Sequence, residues 1–215
     1  MNQLELIAHL SSRLCHDLVG PISAVGNGVE VMEDEDDADM QKQAIELLAH
    51  SADLASRRLK FFRLAFGAAG GEGVPIQLSE ARSTSAAFLE GGRTTLSWPD
   101  TAVSASDQMP KTAVKLLMNL ILVASESLPR GGSIEVDVAV EGGTVSLLIR
   151  ASGPSTKLSD AAEQALGAQR PHEGLDPKSA PAMLAALLAE SLGTALEFRR
   201  EAELLSFQTR FSAAG

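Results

Sequence analysis

Through the first 32 residues apolar side chains recur at intervals of three and four, the spacing of one face of an α-helix. On a wheel of about 100° per residue with Leu14 at zero, Leu4, Ile7, Leu10, Leu14, Leu18, Ile22, Val25, Val29 and Met32 share an arc of roughly 120°. His16 falls nearly opposite the centre of that arc, at about 200°, on the side of Glu5, His9, Ser12, Ser23 and Asn27. The pattern predicts a long amphipathic helix that turns His16 to solvent. The run "EDEDDAD" (33–39) is too charged to bury and marks a turn. Beyond it Ile45, Leu48, Ala52, Ala55, Leu59, Phe62 and Phe66 make a heptad seam, and Met40, Leu47, Leu54 and Phe61 form a second line at sevens. One line can pack on the first helix. The other needs a partner, and a second copy of the chain is the economical choice, giving a four-helix bundle in a homodimer. The competing expectation is that it packs on the rest of the chain.

Near "FGAAGGEGVP" (66–75) glycines and alanines end the helical pattern, so residues 1–67 read as a helical hairpin and 74–215 as a second region. There "VPIQL" (74–78) is strand-like, and 79–92 reads as a helix opened by a capping box. A strand at 93–98 and a long helix at 107–128 follow. Strands at 133–140 and 144–151, separated by Glu-Gly-Gly, read as a hairpin. A helix at 178–192 precedes a second hairpin, "TALEFRRE" and "LLSFQTRF". Helices collected with mostly antiparallel strands predict an α+β protein whose second region is a two-layer α/β sandwich.

Composition narrows the function. The chain of 215 residues is 45% hydrophobic, enough for a sizeable core, yet has no run of about 18 apolar residues to span a membrane. Its opening "MNQLELIAHLSSRL" lacks the basic start and apolar block of a secretory signal. The single cysteine, Cys15, excludes an internal disulfide and a cysteine-built metal site. A cytoplasmic protein is expected. A net charge of −10 argues against nucleic acid and leaves a small molecule or a protein as partner. Four scattered histidines, His50 and His172 among them, do not make a metal site.

The candidate chemistry centres on His16. Asp17 follows it and can favour one imidazole tautomer or the protonated form. Pro21, five residues on, removes a backbone donor from the helix. Gly20, Gly26 and Gly28 weaken the helix by about 0.8–1 kcal/mol each against alanine, a cost that close approach of a partner would explain. His9 shares the polar face but has neither the acid nor the proline.

"HDLVGPI" (16–22) resembles the H-box of dimeric histidine kinases, and "RLCHDLVGPISAVGNGVEVM" (13–32) resembles the ChpT-type histidine phosphotransferases of bacterial phosphorelays. The resemblance implies a homodimeric hairpin bundle with His16 as phosphoacceptor and a C-terminal domain shaped like a kinase ATP-binding domain. Against the kinase pattern, the position of the Mg²⁺-holding asparagine falls on Val123, which offers no oxygen to a hard cation. Ala151 stands where an adenine-reading aspartate is expected, and Ser155 where a glycine is. "LDPKSAPAM" (175–183) lacks the glycine pair of a phosphate lid. The implied protein is a phosphorelay intermediate that uses no ATP and binds no cofactor or metal of its own. It takes a phosphoryl group from a receiver-domain aspartate of a hybrid histidine kinase and passes it to response regulators, with Mg²⁺ held by the receiver. Without ATP, Asp17 orients the imidazole. Arg13, Val19, Gly20 and Ser23 are the expected docking surface. In a hairpin turning near residue 35, Asp53 and Arg57 come level with His16, so Arg57 is a candidate for steering. The rival expectations are an active histidine kinase and a non-catalytic dimeric scaffold that binds receivers.

Overall fold

The computed structural model describes residues 3–34, 37–67, 76–99, 109–167 and 176–213. The centre of the expected turn (35–36), most of the glycine-rich stretch (68–75) and His172 lie outside them.

Two long antiparallel helices come first, α1 (Gln3–Asp34) and α2 (Ala38–Ala65). The Asp37 carboxylate caps α2, accepting from the Asp39 and Met40 amides at 2.8 and 3.2 Å. The chain continues through α3 (Leu78–Leu89), β1 (Thr94–Ser97), α4 (Lys111–Glu126), β2 (Gly132–Glu141), β3 (Thr144–Ser152), α5 (Asp160–Leu166), α6 (Ala180–Ser191), β4 (Glu197–Arg200) and β5 (Leu204–Ser212). The strands form one sheet in the order β1-β2-β3-β5-β4, with β1 and β2 parallel and every other pair antiparallel. Gly142 and Gly143 join β2 to β3 with φ of 56° and 79°, a two-residue turn whose central residues both need positive φ.

Three expectations shift. No strand forms at 76–78: Leu78 already opens α3, whose N-cap is Gln77 without a side-chain cap, so the expected capping box is not used. Helix α4 begins only at Lys111, because Pro110 fixes an extended N-cap with φ −65° and ψ 147°. The short α5 had no periodicity to announce it; only Ser159, which accepts from the Ala162 amide at 3.2 Å, signals its start.

One sheet face is dry. Ile134, Val136 and Val138 of β2, Val145, Leu147 and Ile149 of β3, and Leu205, Phe207 and Phe211 of β5 are buried, alternating with outward residues such as Glu135 and Gln208. Helix α4 lies in the middle of the core, buried continuously from Leu116 to Val123, with the alanine-rich α6 packed beside it. The hairpin is seated on this core by its base. Phe61 and Phe62 are fully buried, and Phe61 stacks on Phe88 of α3 at 4.2 Å between centroids. Asn119 of α4 donates to the Ala65 carbonyl at 3.0 Å and so closes the last turn of α2.

Away from that seat the hairpin is different. The apolar arc of α1 is split by α2, which covers only one flank. Leu6, Arg13, Pro21 and Gly28 are buried, while Leu4, Ile7, Ile22 and Val29 stay exposed. On α2 Met40, Ile45, Leu47 and Leu59 are exposed too, from both of its apolar lines. A Cβ on Gly28 would meet the Leu48 side chain at 2.8 Å. Gly28 therefore lets the helices close on each other, not a partner approach as its sequence context suggested.

Candidate functional site

His16 projects from the middle of α1 with 74% of its side chain exposed. Its Nδ1 lies 3.0 Å from Asp17 Oδ1. A carboxylate only accepts, so Nδ1 carries the proton in this arrangement and the lone pair of Nε2 faces outward. Of the two states the sequence left open, both keep Nδ1–H; the neutral one is a nucleophile. Val19, Gly20 and Ser23 are exposed on the same stretch of helix, and nothing lies within 4 Å of a Cβ built on Gly20. His9 is half-buried.

Arg13 is not on that surface. Its side chain is 9% exposed, donating through Nε to Asp17 Oδ2 at 2.9 Å and pairing through Nη2 with Glu126 Oε1. On the wheel it sits about 100° from Leu14, outside the apolar arc; Glu126, from the C-terminal part of the chain, covers that flank. Burial works to lower the Arg13 pKa, but Glu126 and Asp17 outweigh it and the net shift is upward. Burial pushes the Glu126 carboxyl up, only partly offset by Arg13.

Arg57 is also misassigned by the sequence. It is spent on α3, donating to Glu90 Oε2 at 2.9 Å and the Ala87 carbonyl at 3.2 Å, with Asp53 beside its Nε at 2.9 Å. The next residue is the one that reaches α1 beside His16: Arg58 Nη1 donates to the Asp17 carbonyl oxygen. In an unbroken helix that carbonyl would accept from the amide of residue 21, and Pro21 has none. Arg58 replaces the missing donor, so the backbone beside His16 is satisfied from α2. Arg58 and Glu126 are thus the residues the sequence did not reveal. The orphan carbonyl that Pro21 creates was the available signal for a donor; nothing local pointed to Glu126.

In the C-terminal part, Val123 and Glu126 of α4 line a cleft of about 270 Å³ with Lys157, Ser159 and Lys178. Val123 contributes only methyl groups to it, and Ala151 is fully buried. Ser155 holds φ at 66°, a left-handed conformation natural to glycine, so the backbone keeps a shape its side chain does not favour. Asn119 is buried with both amide hydrogens donated to carbonyls, of Ala65 and of Lys115 at 2.8 Å, so its side chain is held between α2 and α4. Among the described residues no group of three or more histidine, cysteine, aspartate or glutamate side chains is arranged around a common point. No described helix is long and apolar enough to cross a membrane.

Comparison with known proteins agrees with this architecture. Residues 78–204 match the family described as "Histidine phosphotransferase C-terminal domain". The "Protein phosphotransferase ChpT" of Brucella abortus (strain 2308) is 33% identical over 207 residues, 96% of either chain. A solved structure titled "1.7 Angstrom Structure of a Bacterial Phosphotransferase" superposes with a TM-score of 0.81 at 30% identity, covering 97% of both chains. With a helical hairpin that presents a histidine–acid pair, a mixed sheet behind it, and a match along nearly its whole length, the chain belongs to the ChpT-type histidine phosphotransferases.

Proposed function

We propose that this phosphotransferase works through a phosphohistidine on His16, carrying phosphoryl groups between receiver-domain aspartates without using ATP. The observation that carries the reading is the exposed imidazole whose Nδ1 is held by the Asp17 carboxylate. The lone pair of Nε2 attacks the phosphorus of an aspartyl phosphate on the receiver of a hybrid histidine kinase. The N–P bond forms as the P–O bond to the aspartate breaks, and the electron pair leaves with the carboxylate. Positive charge develops on the ring, and the Asp17 carboxylate beside Nδ1–H neutralises it. Delivery to a response regulator is the reverse step, with the receiving aspartate as nucleophile. Positioning and charge neutralisation supply most of the catalysis, and Mg²⁺ belongs to the receiver. Val19, Gly20 and Ser23 form the near part of the docking surface. Two features support ATP independence: methyl groups at Val123 where a metal would need an oxygen, and the buried Ala151 where adenine would need a carboxylate.

The active form is a homodimer. Ile7 of α1 and Ile45 of α2 are 58% and 54% exposed, and a groove of about 410 Å³ lined by Ile7, Leu10, Leu14, Leu59 and Phe62 runs between the helices. A second hairpin laid in that groove completes a four-helix bundle and leaves His16, on the far side of α1, open to a receiver.

The test mixes the protein with labelled ATP, and separately with a labelled phosphorylated receiver, for wild type and His16→Ala. Label gained only from the receiver, and lost on substitution, is the expected result. Label gained from ATP alone, or transfer that survives the substitution, would overturn it.

A further inference from the structure

Glu126 ends α4, 110 residues along the chain from His16, yet an unbroken series of charged contacts joins the two. Glu126 Oε1 pairs with Arg13 Nη2, Arg13 Nε donates to Asp17 Oδ2 at 2.9 Å, and Asp17 Oδ1 faces His16 Nδ1 at 3.0 Å. Arg13 and Asp17, in the middle of the series, are the covered members, with side chains 9% and 15% exposed, while the imidazole at its end is open to solvent. A guanidinium that is 9% exposed is costly to hold with one partner, and its Nη1 has none. With Glu126 in place it is held from two sides, so its Nε–H points in a fixed direction. That bond takes one oxygen of Asp17 and leaves the other aimed at the ring.

We propose that Glu126 is a positioning residue for phosphotransfer: through Arg13 it fixes the Asp17 carboxylate, which keeps the proton on His16 Nδ1 and the lone pair on Nε2. This rests on His16 being the phosphoacceptor. It gives the C-terminal part of the chain a task that needs no nucleotide. The helix that in a kinase would hold a metal ion here sends a carboxylate back to the phosphoacceptor helix.

A strut that merely ties the two parts together would affect stability and leave the imidazole alone, so the readout is the imidazole itself. In the full-length protein, ¹⁵N NMR of wild-type His16 is expected to show the Nδ1–H tautomer. Glu126→Gln keeps the size of the side chain and removes its charge. It is expected to shift His16 towards the tautomer with the proton on Nε2, which an unconstrained histidine prefers, and to slow transfer from a phosphorylated receiver by about tenfold. Arg13→Lys, which cannot hold both carboxylates at fixed angles, is expected to change both readouts the same way and serves should Glu126→Gln fold poorly. An unchanged tautomer and an unchanged rate in whichever variant is folded would overturn the proposal. His16→Ala run alongside separates the two readings: transfer surviving in that variant removes the phosphoacceptor itself, whereas its loss with normal transfer in Glu126→Gln removes only the role of Glu126.

Discussion

Helix α1 has 32 residues and buries four of them; helix α4 has 16 and buries eleven. Both read as apolar in sequence, but they are finished in different ways. Around α4 the sheet, α6 and the base of the hairpin bury it continuously from Leu116 to Ala124, so its packing is met within one chain. Around α1 only one flank is covered, and half of a well-formed apolar arc faces outward. Residues with the same preference for burial thus end in two ways: in α4 they hold the fold, and in α1 half of them stay exposed, on the face where the proposed dimer would pack, opposite His16.

The comparison predicts unequal responses to substitution. The largest is expected in the finished region. Leu117→Ala removes a fully buried side chain and should cost about 2–5 kcal/mol, read as a fall in urea midpoint that does not depend on protein concentration. A concentration-dependent loss would mean that the packing of α4 is not complete within one chain. Ile7→Glu combined with Ile45→Glu should leave far-ultraviolet circular dichroism unchanged while weakening self-association by about a hundredfold, about 2.8 kcal/mol, in sedimentation equilibrium. Unaltered association would move the interface elsewhere.

A third, smaller effect concerns the seam between α1 and α2. Arg58→Met should cost about 1.5–3 kcal/mol in wild type, where the Asp17 carbonyl loses its donor. In the Pro21→Ala background a backbone N–H is restored, and the same substitution should cost about 1 kcal/mol less. A double-mutant cycle by urea unfolding measures that coupling, and additive costs would show that Arg58 and Pro21 are unrelated.

The smallest is at the entrance to α6, where Asp176 Oδ1 accepts from the Ser179 amide at 2.7 Å. Slight burial works to raise the Asp176 pKa, but the bonds from Ser179 outweigh it and hold the carboxyl below its ordinary value. A carboxyl depressed in the folded state contributes stability above its unfolded pKa and loses it as pH falls through the folded one. Asp176→Ala should therefore cost about 0.5–1 kcal/mol at neutral pH, and the two midpoints should converge in acid below the folded pKa. A gap that stays constant with pH would assign the cost to something other than the charge.

How much of this was legible in the sequence depends on the range of the interaction. The hairpin, the exposure of His16 and the antiparallel strand pairs follow from local spacing, and the structure reproduces them. The motif around His16 names the family because its chemistry is packed into seven residues. Arg13 and Arg57 were misread for a different reason. Nearness to His16 along or across a hairpin does not tell what else in the chain covers a side chain; the end of α4 covers Arg13 and α3 covers Arg57. Arg58 needed the pairing of two helices, and Glu126 needed the docking of the hairpin onto the sheet half. Neither leaves a periodic trace. The split of the apolar arc on α1 was invisible for the same reason, since apolar residues that meet α2 and those that stay exposed look alike in sequence.

The sheet order has a consequence for how the molecule stays discrete. Its two long antiparallel strands, β3 and β5, and the ten-residue β2 lie inside, and the edges fall to β1 and β4, of four residues each. So short an edge gives a foreign strand few backbone groups to zip onto, and on β4 the run of Glu197, Arg199 and Arg200 adds charge to the rim. A protein that must leave greasy helices uncovered risks clumping through any open sheet margin as well. Here that route is nearly shut, and the contacts left to it are helical ones.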